Sequence, residues 1–212
     1  MNPPDFERAK QYALERLEQE LPATLTYHCL AHTRDDVVPA VERLAALEGV
    51  DGQDLLLLRT AAYYHDLGYV EQRADHEATA VRIASEVLPR FGYSPEQINV
   101  IGGIILATRV PHDPRTHLEE IMADADLDLV GRDDFWPLNR DLRAEREALG
   151  QPMTDEEWYG GQLAFFQAHR YFTASARALR QALKQRHIEE LAALLEESRR
   201  RPSSSAKSAA PC

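Results

Sequence analysis

Helical periodicity runs along almost the whole chain, and no segment shows the apolar–polar alternation of a half-buried strand. The first segment shows the pattern clearly, because its apolar residues recur every three or four positions up to a closing Pro22: Phe6, Ala9, Ala13, Leu17 and Leu21. This periodicity predicts an all-α protein.

Start and stop signals divide the chain into nine predicted helices. Their approximate ranges are 5–20, 32–48, 51–67, 76–88, 94–107, 116–130, 134–149, from 154 onward, and 173–198. Ser94 with Gln97 predicts a capping box, and Asp51 is a candidate N-cap. Gly68 is predicted to end the third helix, while Pro39 predicts a late start or a kink in the second.

The 212 residues suffice for one hydrophobic core. We predict a single-domain helical bundle, with an N-terminal helix at 1–23, a core at 24–135 that carries the polar motifs, and C-terminal helices at 136–200 that complete the same domain. The almost wholly apolar segment 98–108 is expected to be central. The aromatic residues between 158 and 172 could cap the site or complete the core, and we expect them to complete the core. The low-complexity tail at 201–212 is predicted to be disordered.

Charge and composition exclude several classes of protein. A net charge of −11 would repel a nucleic-acid backbone, so nucleic acid is not an expected partner. No apolar run is long enough to span a bilayer, and the N-terminus lacks the apolar stretch of a signal peptide, which predicts a cytoplasmic protein. The two cysteines, Cys29 and Cys212, do not suggest a disulfide framework.

Metal-binding residue types occur beside apolar residues in three segments. AAYYHDLGY carries His65 and Asp66, whose side chains could converge on an ion over the end of a helix or form a buried hydrogen-bonded pair. YHCLAHT carries His28 and His32 on one helical face, either as an aromatic-rich junction or as a ligand with a nearby acid or base. In ADADLDLVG, an inward-facing acid would require a cation, although an exposed acidic stripe is the alternative.

Taken in order, these three segments resemble the HD superfamily of metal-dependent phosphohydrolases, over about residues 28–135. The resemblance implies a helical bundle of the HD and phosphodiesterase type in which His32, His65, Asp66 and Asp126 bind a divalent metal. Asp126 is preferred because Ala125-Asp126-Leu127 fits the family motif, and Asp124 is left to orient a ligand histidine.

The resemblance also implies roles for residues near these ligands. His28 matches the general acid of the related cyclic-nucleotide phosphodiesterases, and Asp66 would bridge two ions in a dinuclear site. His76 and His112 lie in the intervals where the family holds a second ion; the alternative is that both are surface histidines. Arg109 and Arg115 flank His112 and are candidates for binding the phosphate, or are loop arginines facing solvent.

We therefore expect a hydrolase that acts on a small phosphorylated molecule, such as a nucleotide, with one or two divalent ions (Mn, Fe, Mg, Ni or Zn) and water as the nucleophile. The two alternatives are an HD-fold di-iron oxygenase, which would use the same ligands, and a non-catalytic HD module that senses a nucleotide. The sequence does not indicate the oligomeric state.

Overall fold

The computed structural model describes residues 3–200, so the tail at 201–212 lies outside the described residues. The helices are α1 (Phe6–Glu20), α2 (Val38–Leu47), α3 (Gly52–Tyr64), α4 (His76–Val87), α5 (Pro95–Leu106), α6 (His117–Asp126), α7 (Phe135–Ala148), α8 (Asp155–Ala168) and α9 (Ala174–Arg200). Single 3₁₀ turns at Leu67–Val70, Leu88–Phe91 and Asp128–Gly131 follow α3, α4 and α6. Residues 3–200 contain no strand, which confirms the all-α prediction.

Local capping explains where several helices begin. The Ser94 hydroxyl accepts a hydrogen bond from the Gln97 N–H, and the Gln97 side chain bonds back to the Ser94 N–H, so the predicted capping box is confirmed. Asp51 is the N-cap of α3, but its side chain forms no capping hydrogen bond. Gly68 lies inside the 3₁₀ turn after α3 and does not end that helix.

The region around Pro39 differs from an ordinary helix in a way that concerns the site. A π-helical segment, His32–Val37, precedes α2, and Pro39 is the second residue of α2. Proline has no N–H to donate to the preceding turn, so a wider turn at this point costs the helix little. Such π segments occur often at functional sites, and this one begins at His32.

Helix α3 lies at the centre of the main core and packs against α1, α2 and α5. Tyr64 at its end is fully buried, and its hydroxyl donates to the Ala9 carbonyl of α1 at 2.9 Å. Helix α5 is less central than predicted, because Val100 and Leu106 on its outer face are 40% and 43% exposed. None of the helices within residues 3–200 combines the length and the apolar character that crossing a membrane requires.

The C-terminal helices have a small hydrophobic cluster of their own, built around Val130, Phe135, Phe166 and Leu191. Two features join it to the rest of the bundle. A Cβ atom at Gly131 would lie 2.4 Å from the Arg180 carbonyl oxygen, so only glycine allows α9 to approach this closely. Arg180 also forms a bidentate ion pair with the buried carboxylate of Asp128, in which Nε donates to Oδ1 at 2.7 Å and Nη2 donates to Oδ2 at 2.9 Å.

Candidate metal centre

Four histidine and aspartate side chains from three separate helix ends converge at one point. His32 begins the π segment, His65 and Asp66 follow the last residue of α3, and Asp126 is the last residue of α6. The carboxyl ends of α3 and α6 therefore both face this point, and the partial negative charge at a helix C-terminus favours a cation there. His32, His65 and Asp66 are buried, at 5%, 0% and 6% exposure.

The distances between the facing atoms fit a shared ion. Asp66 Oδ2 lies 3.3 Å from His65 Nε2 and 3.7 Å from His32 Nε2. Asp126 Oδ1 lies 3.3 Å from His32 Nε2 and 3.5 Å from His65 Nε2. Neighbouring ligands placed about 2.1 Å from a metal, in octahedral or tetrahedral geometry, are separated by about 3.0–3.4 Å. These four pairs of atoms are thus nearly at coordination spacing, and the ligand atoms of His32, His65 and Asp66 all lie within 4.8 Å of one another.

The local hydrogen bonds leave the right atoms free for a metal. His65 Nδ1 lies 2.8 Å from the Ala62 carbonyl oxygen, to which it can only donate, so the proton is on Nδ1 and the Nε2 lone pair faces the centre. His65 Nε2 and Asp66 Oδ2 are fully buried and have no hydrogen-bond partner. Unpartnered polar atoms in the interior are costly, and a divalent cation would satisfy both. The donor set therefore fits a divalent metal.

The electrostatics lead to the same conclusion. Burial opposes ionisation of Asp66 and Asp126, but the facing imidazoles outweigh burial and lower the pKa of both carboxyl groups. Burial likewise opposes protonation of His65, yet the two carboxylates raise its pKa well above the ordinary value. Two ionised carboxylates in a buried space thus demand positive charge beside them, which a divalent ion supplies better than a proton.

His76, the first residue of α4, reaches the other oxygen of Asp66. Its Nε2 lies 3.4 Å from Asp66 Oδ1, and its ring stacks on Tyr69 with 4.0 Å between centroids. A Cβ atom at Gly68 would lie only 1.9 Å from the His76 carbonyl oxygen, so the glycine of the HDLG segment is what allows α4 to approach. The two Asp66 oxygens therefore face two different histidine groups.

His28 lies beside the centre and is paired with an acid from α7. Its Nδ1 lies 2.6 Å from Glu145 Oε1, while Glu145 Oε2 accepts from the N–H groups of Tyr27 and His28 at 2.8 and 2.9 Å. Burial opposes ionisation of Glu145, but the imidazole and the backbone donors together lower its pKa. Glu145 thus fixes the ring of His28 and leaves its Nε2 available, a role that the sequence reasoning missed.

The structure places the other predicted residues elsewhere. His112 Nε2 lies 3.2 Å from the Thr108 carbonyl oxygen, its ring contacts Phe172, and it does not line the cavity beside the centre. Arg115 is 82% exposed and faces Asp113, and Arg109 pairs with Asp75. These three residues are on or beside the loop between α5 and α6, and none of them lines the cavity beside the centre.

Asp124 also has a different role from the predicted one, because it does not orient a ligand histidine. Its carboxylate accepts hydrogen bonds from the N–H groups of Phe172 and Thr173 and from the Thr173 hydroxyl, each at 2.8 Å. Burial raises the pKa of this carboxyl group, although these donors counteract the effect. Asp124 therefore anchors the start of α9.

A cavity of about 480 Å³ opens beside the metal centre. Two arginines line it that the sequence reasoning did not select, Arg73 and Arg146. Both are exposed, and neither forms an ion pair within residues 3–200. Trp158, Phe165 and Phe166 also line this cavity, so these aromatic residues face the site as well as completing the core.

The family comparison agrees with this geometry. The family model for the HD domain matches residues 37–128, which is less than half of the chain. Residues 37–128 form an HD domain, which supports membership of the HD superfamily of metal-dependent phosphohydrolases. The match includes His65, Asp66 and Asp126 but begins after His32 and ends before Glu145.

No curated protein and no solved structure matches the chain. The HD domain and its cluster of metal-binding residues identify the class of protein, and the substrate must be inferred from the cavity.

Proposed function

We propose that this protein is a metal-dependent phosphohydrolase that cleaves phosphate esters of small molecules. The observation that carries the proposal is the convergence of His32, His65, Asp66 and Asp126 at 3.3–3.7 Å, with two buried ligand atoms that have no other partner. When bound there, a divalent ion lowers the pKa of a water molecule and neutralises phosphoryl oxygens. We propose that the substrate is its principal partner, and neither nucleic acid nor membrane.

The residues around the centre supply the remaining requirements of ester hydrolysis. His28, held by Glu145, donates a proton through Nε2 to the oxygen of the departing alcohol, which is general acid catalysis. Arg73 and Arg146 line the cavity and form no ion pair within residues 3–200. They bind the negatively charged phosphate of the substrate. Asp66 and Asp126 remain ionised and supply the negative charge that favours a cation at the centre.

We propose one ion per chain. The four-residue group offers four facing atoms. Among residues 3–200, His76 is the one histidine paired with Asp66 Oδ1, and Glu77 Oε2 lies 3.6 Å from the other ring nitrogen of His76. His112, which would have supplied a further ligand, lies elsewhere. His76 accordingly orients Asp66 through its second oxygen, as outer partners of metal ligands commonly do.

The test is metal analysis of the purified chain, followed by a panel of phosphate esters with added Mn²⁺, Fe²⁺, Mg²⁺, Ni²⁺ or Zn²⁺. His65→Ala and Asp66→Ala should lose both the metal and the activity. His117→Ala is the matched control, because His117 is a half-exposed histidine at the start of α6, remote from the four ligands. It should keep both properties.

Three results would contradict the proposal. Full activity in His65→Ala or Asp66→Ala would show that the centre is not catalytic. Oxygen uptake and a visible absorption band with iron, without ester hydrolysis, would instead favour the di-iron oxygenase. Ligand binding without turnover under any metal would favour a sensing module. A ratio of two ions per chain would refute the single-ion arrangement alone.

A further inference from the structure

The cavity beside the metal centre has two chemically different sides. One side is the centre itself, with His28, His32, Asp66, His76 and Asp126. The other side comes mainly from α7, α8 and the 3₁₀ turn after α6, and is formed largely by apolar side chains such as Val130, Phe135, Leu138, Leu142, Phe165 and Phe166. Most of this apolar side lies outside the matched HD domain.

Few polar groups interrupt the apolar side, and those present are mostly engaged with one another. Trp158 Nε1 donates to Asn139 Oδ1 at 3.0 Å, and Asn139 Nδ2 donates to Gln162 Oε1 at 2.7 Å. Only the amide nitrogen of Gln162 has no partner within residues 3–200. The charged residues that line the cavity are either exposed, as Arg73 and Arg146 are, or paired, as Glu145 is with His28.

The scarcity of unpaired polar groups on the apolar side of the cavity favours some alcohol portions of a substrate ester over others. A sugar or glycerol moiety placed against the apolar side would leave several hydroxyl groups without hydrogen bonds, and burying an unpartnered hydroxyl is unfavourable. A hydrocarbon ring would bury apolar surface on both partners. The volume of about 480 Å³ falls within the range of ordinary small-molecule sites and accommodates a ring-sized group.

We propose that the substrates are phosphate esters of apolar, ring-sized alcohols, with the phosphate at the metal centre and the alcohol portion in the apolar part of the cavity. This inference rests on the phosphohydrolase function proposed above. In the reaction, the oxygen of water forms a bond to phosphorus and the bond from phosphorus to the alcohol oxygen breaks. That oxygen takes a proton from His28, and the attacking water releases one proton that returns through solvent to His28, so the products are the alcohol and inorganic phosphate.

The experiment compares benzyl phosphate with glycerol phosphate, two primary alkyl esters of similar intrinsic reactivity, using the full chain and the metal that supports most activity. We expect kcat/KM to be at least about tenfold higher for benzyl phosphate, the scale on which an apolar pocket discriminates. Leu138→Asn should raise KM for benzyl phosphate by a larger factor than KM for glycerol phosphate. Leu163→Asn is the control, since Leu163 is a similarly half-buried leucine of the C-terminal cluster that does not line the cavity.

A binding measurement on metal-free protein separates the two proposals. Trp136→Phe leaves Trp158 as the only tryptophan of the chain, and Trp158 lines the cavity. Para-nitrobenzyl alcohol should quench its emission saturably, and Leu138→Asn should weaken the quenching.

Equal kcat/KM for the two esters, or equal effects of Leu138→Asn and Leu163→Asn, would overturn the substrate class and leave the phosphohydrolase function intact. Failure of every ester with every metal would refute the phosphohydrolase function and this substrate class with it, even if the alcohol still quenches Trp158.

Discussion

Replacing Gly68 by alanine should disturb the metal centre from a position that does not touch the metal. The new Cβ atom would lie 1.9 Å from the carbonyl oxygen of His76, 2.7 Å from its carbonyl carbon and 3.0 Å from the N–H nitrogen of Ala80. All three are backbone atoms of α4, so no side-chain rotation can relieve the contact. Gly68 does not have a positive φ, and the close approach alone is what requires glycine.

The size of the effect follows from these distances. Contacts of a Cβ atom below 3.0 Å are essentially never observed, so the separation from the His76 oxygen must grow from 1.9 Å by at least about 1.1 Å. Overpacking of this kind costs about 1–3 kcal/mol of stability. His76 Nε2 would also withdraw from Asp66 Oδ1, now 3.4 Å away, and losing such an outer partner typically weakens metal binding about 10–100-fold.

The assay has two parts: urea denaturation of the metal-free protein for stability, and calorimetric titration with Mn²⁺ for affinity. Gly160→Ala is the matched control, because its Cβ atom would meet only Leu195 Cδ1 at 3.8 Å, an ordinary contact in the middle of α8. Alanine is the better helix former, so the control should gain stability, by up to about 1 kcal/mol, and should bind Mn²⁺ as the parent does.

Unchanged stability and unchanged Mn²⁺ affinity in Gly68→Ala would refute this account of how α4 is positioned. A loss of stability with parental affinity would show that His76 contributes nothing to the metal centre, and would restrict the role of Gly68 to packing.

Three further predictions concern other parts of the site and the fold. Glu145→Gln should lower kcat for benzyl phosphate by about 10–100-fold, because one amide oxygen cannot accept all the hydrogen bonds that orient His28. The kcat for para-nitrophenyl phosphate should fall much less, because its leaving group needs no proton. Arg146→Ala should raise KM by about 10–100-fold, the effect of losing one charged hydrogen bond. Arg115→Ala should leave KM unchanged, because Arg115 is 82% exposed and does not line the cavity. Burial, together with the charge of Lys184, lowers the pKa of His169 to about 3. Between pH 3 and the ordinary value of 6.5, the unfolded chain binds a proton at His169 and the folded chain does not, so the free energy of unfolding falls as the pH falls. From pH 6.5 to pH 5 this loss is about 2 kcal/mol, and thermal denaturation of His169→Phe should show a correspondingly flatter pH dependence, whereas an identical pH dependence would disprove the assignment.

Features that depend on a few neighbouring residues were readable from the sequence. The capping box of Ser94 and Gln97 connects atoms three residues apart, and the predicted helix at 5–20 differs from α1 by one residue at its start. The ordered motifs around His32, His65, Asp66 and Asp126 selected the residues that the structure brings together at the metal centre. Each of these signals either connects residues close together in the sequence or is a short sequence motif.

Contacts between distant segments depended on how the helices pack. His28 and Glu145 are 117 residues apart, and nothing in the sequence of α7 indicates which of its two glutamates would face inward. The packing of α9 likewise places three hydrogen-bond donors near the N-terminus of α9 beside Asp124. The loop after α5 places His112 beside the Thr108 carbonyl.

The sequence by itself thus determined the helices, their caps and the identity of the metal-binding residue types, because those properties follow from chemistry within one or two helical turns. Only the tertiary structure decided which acid holds His28, which arginines face the cavity and that the cavity has an apolar side. These contacts depend on how separate helices pack against one another. A hydrophobic pattern predicts that one face of a helix is buried, but it does not specify which other helix covers that face.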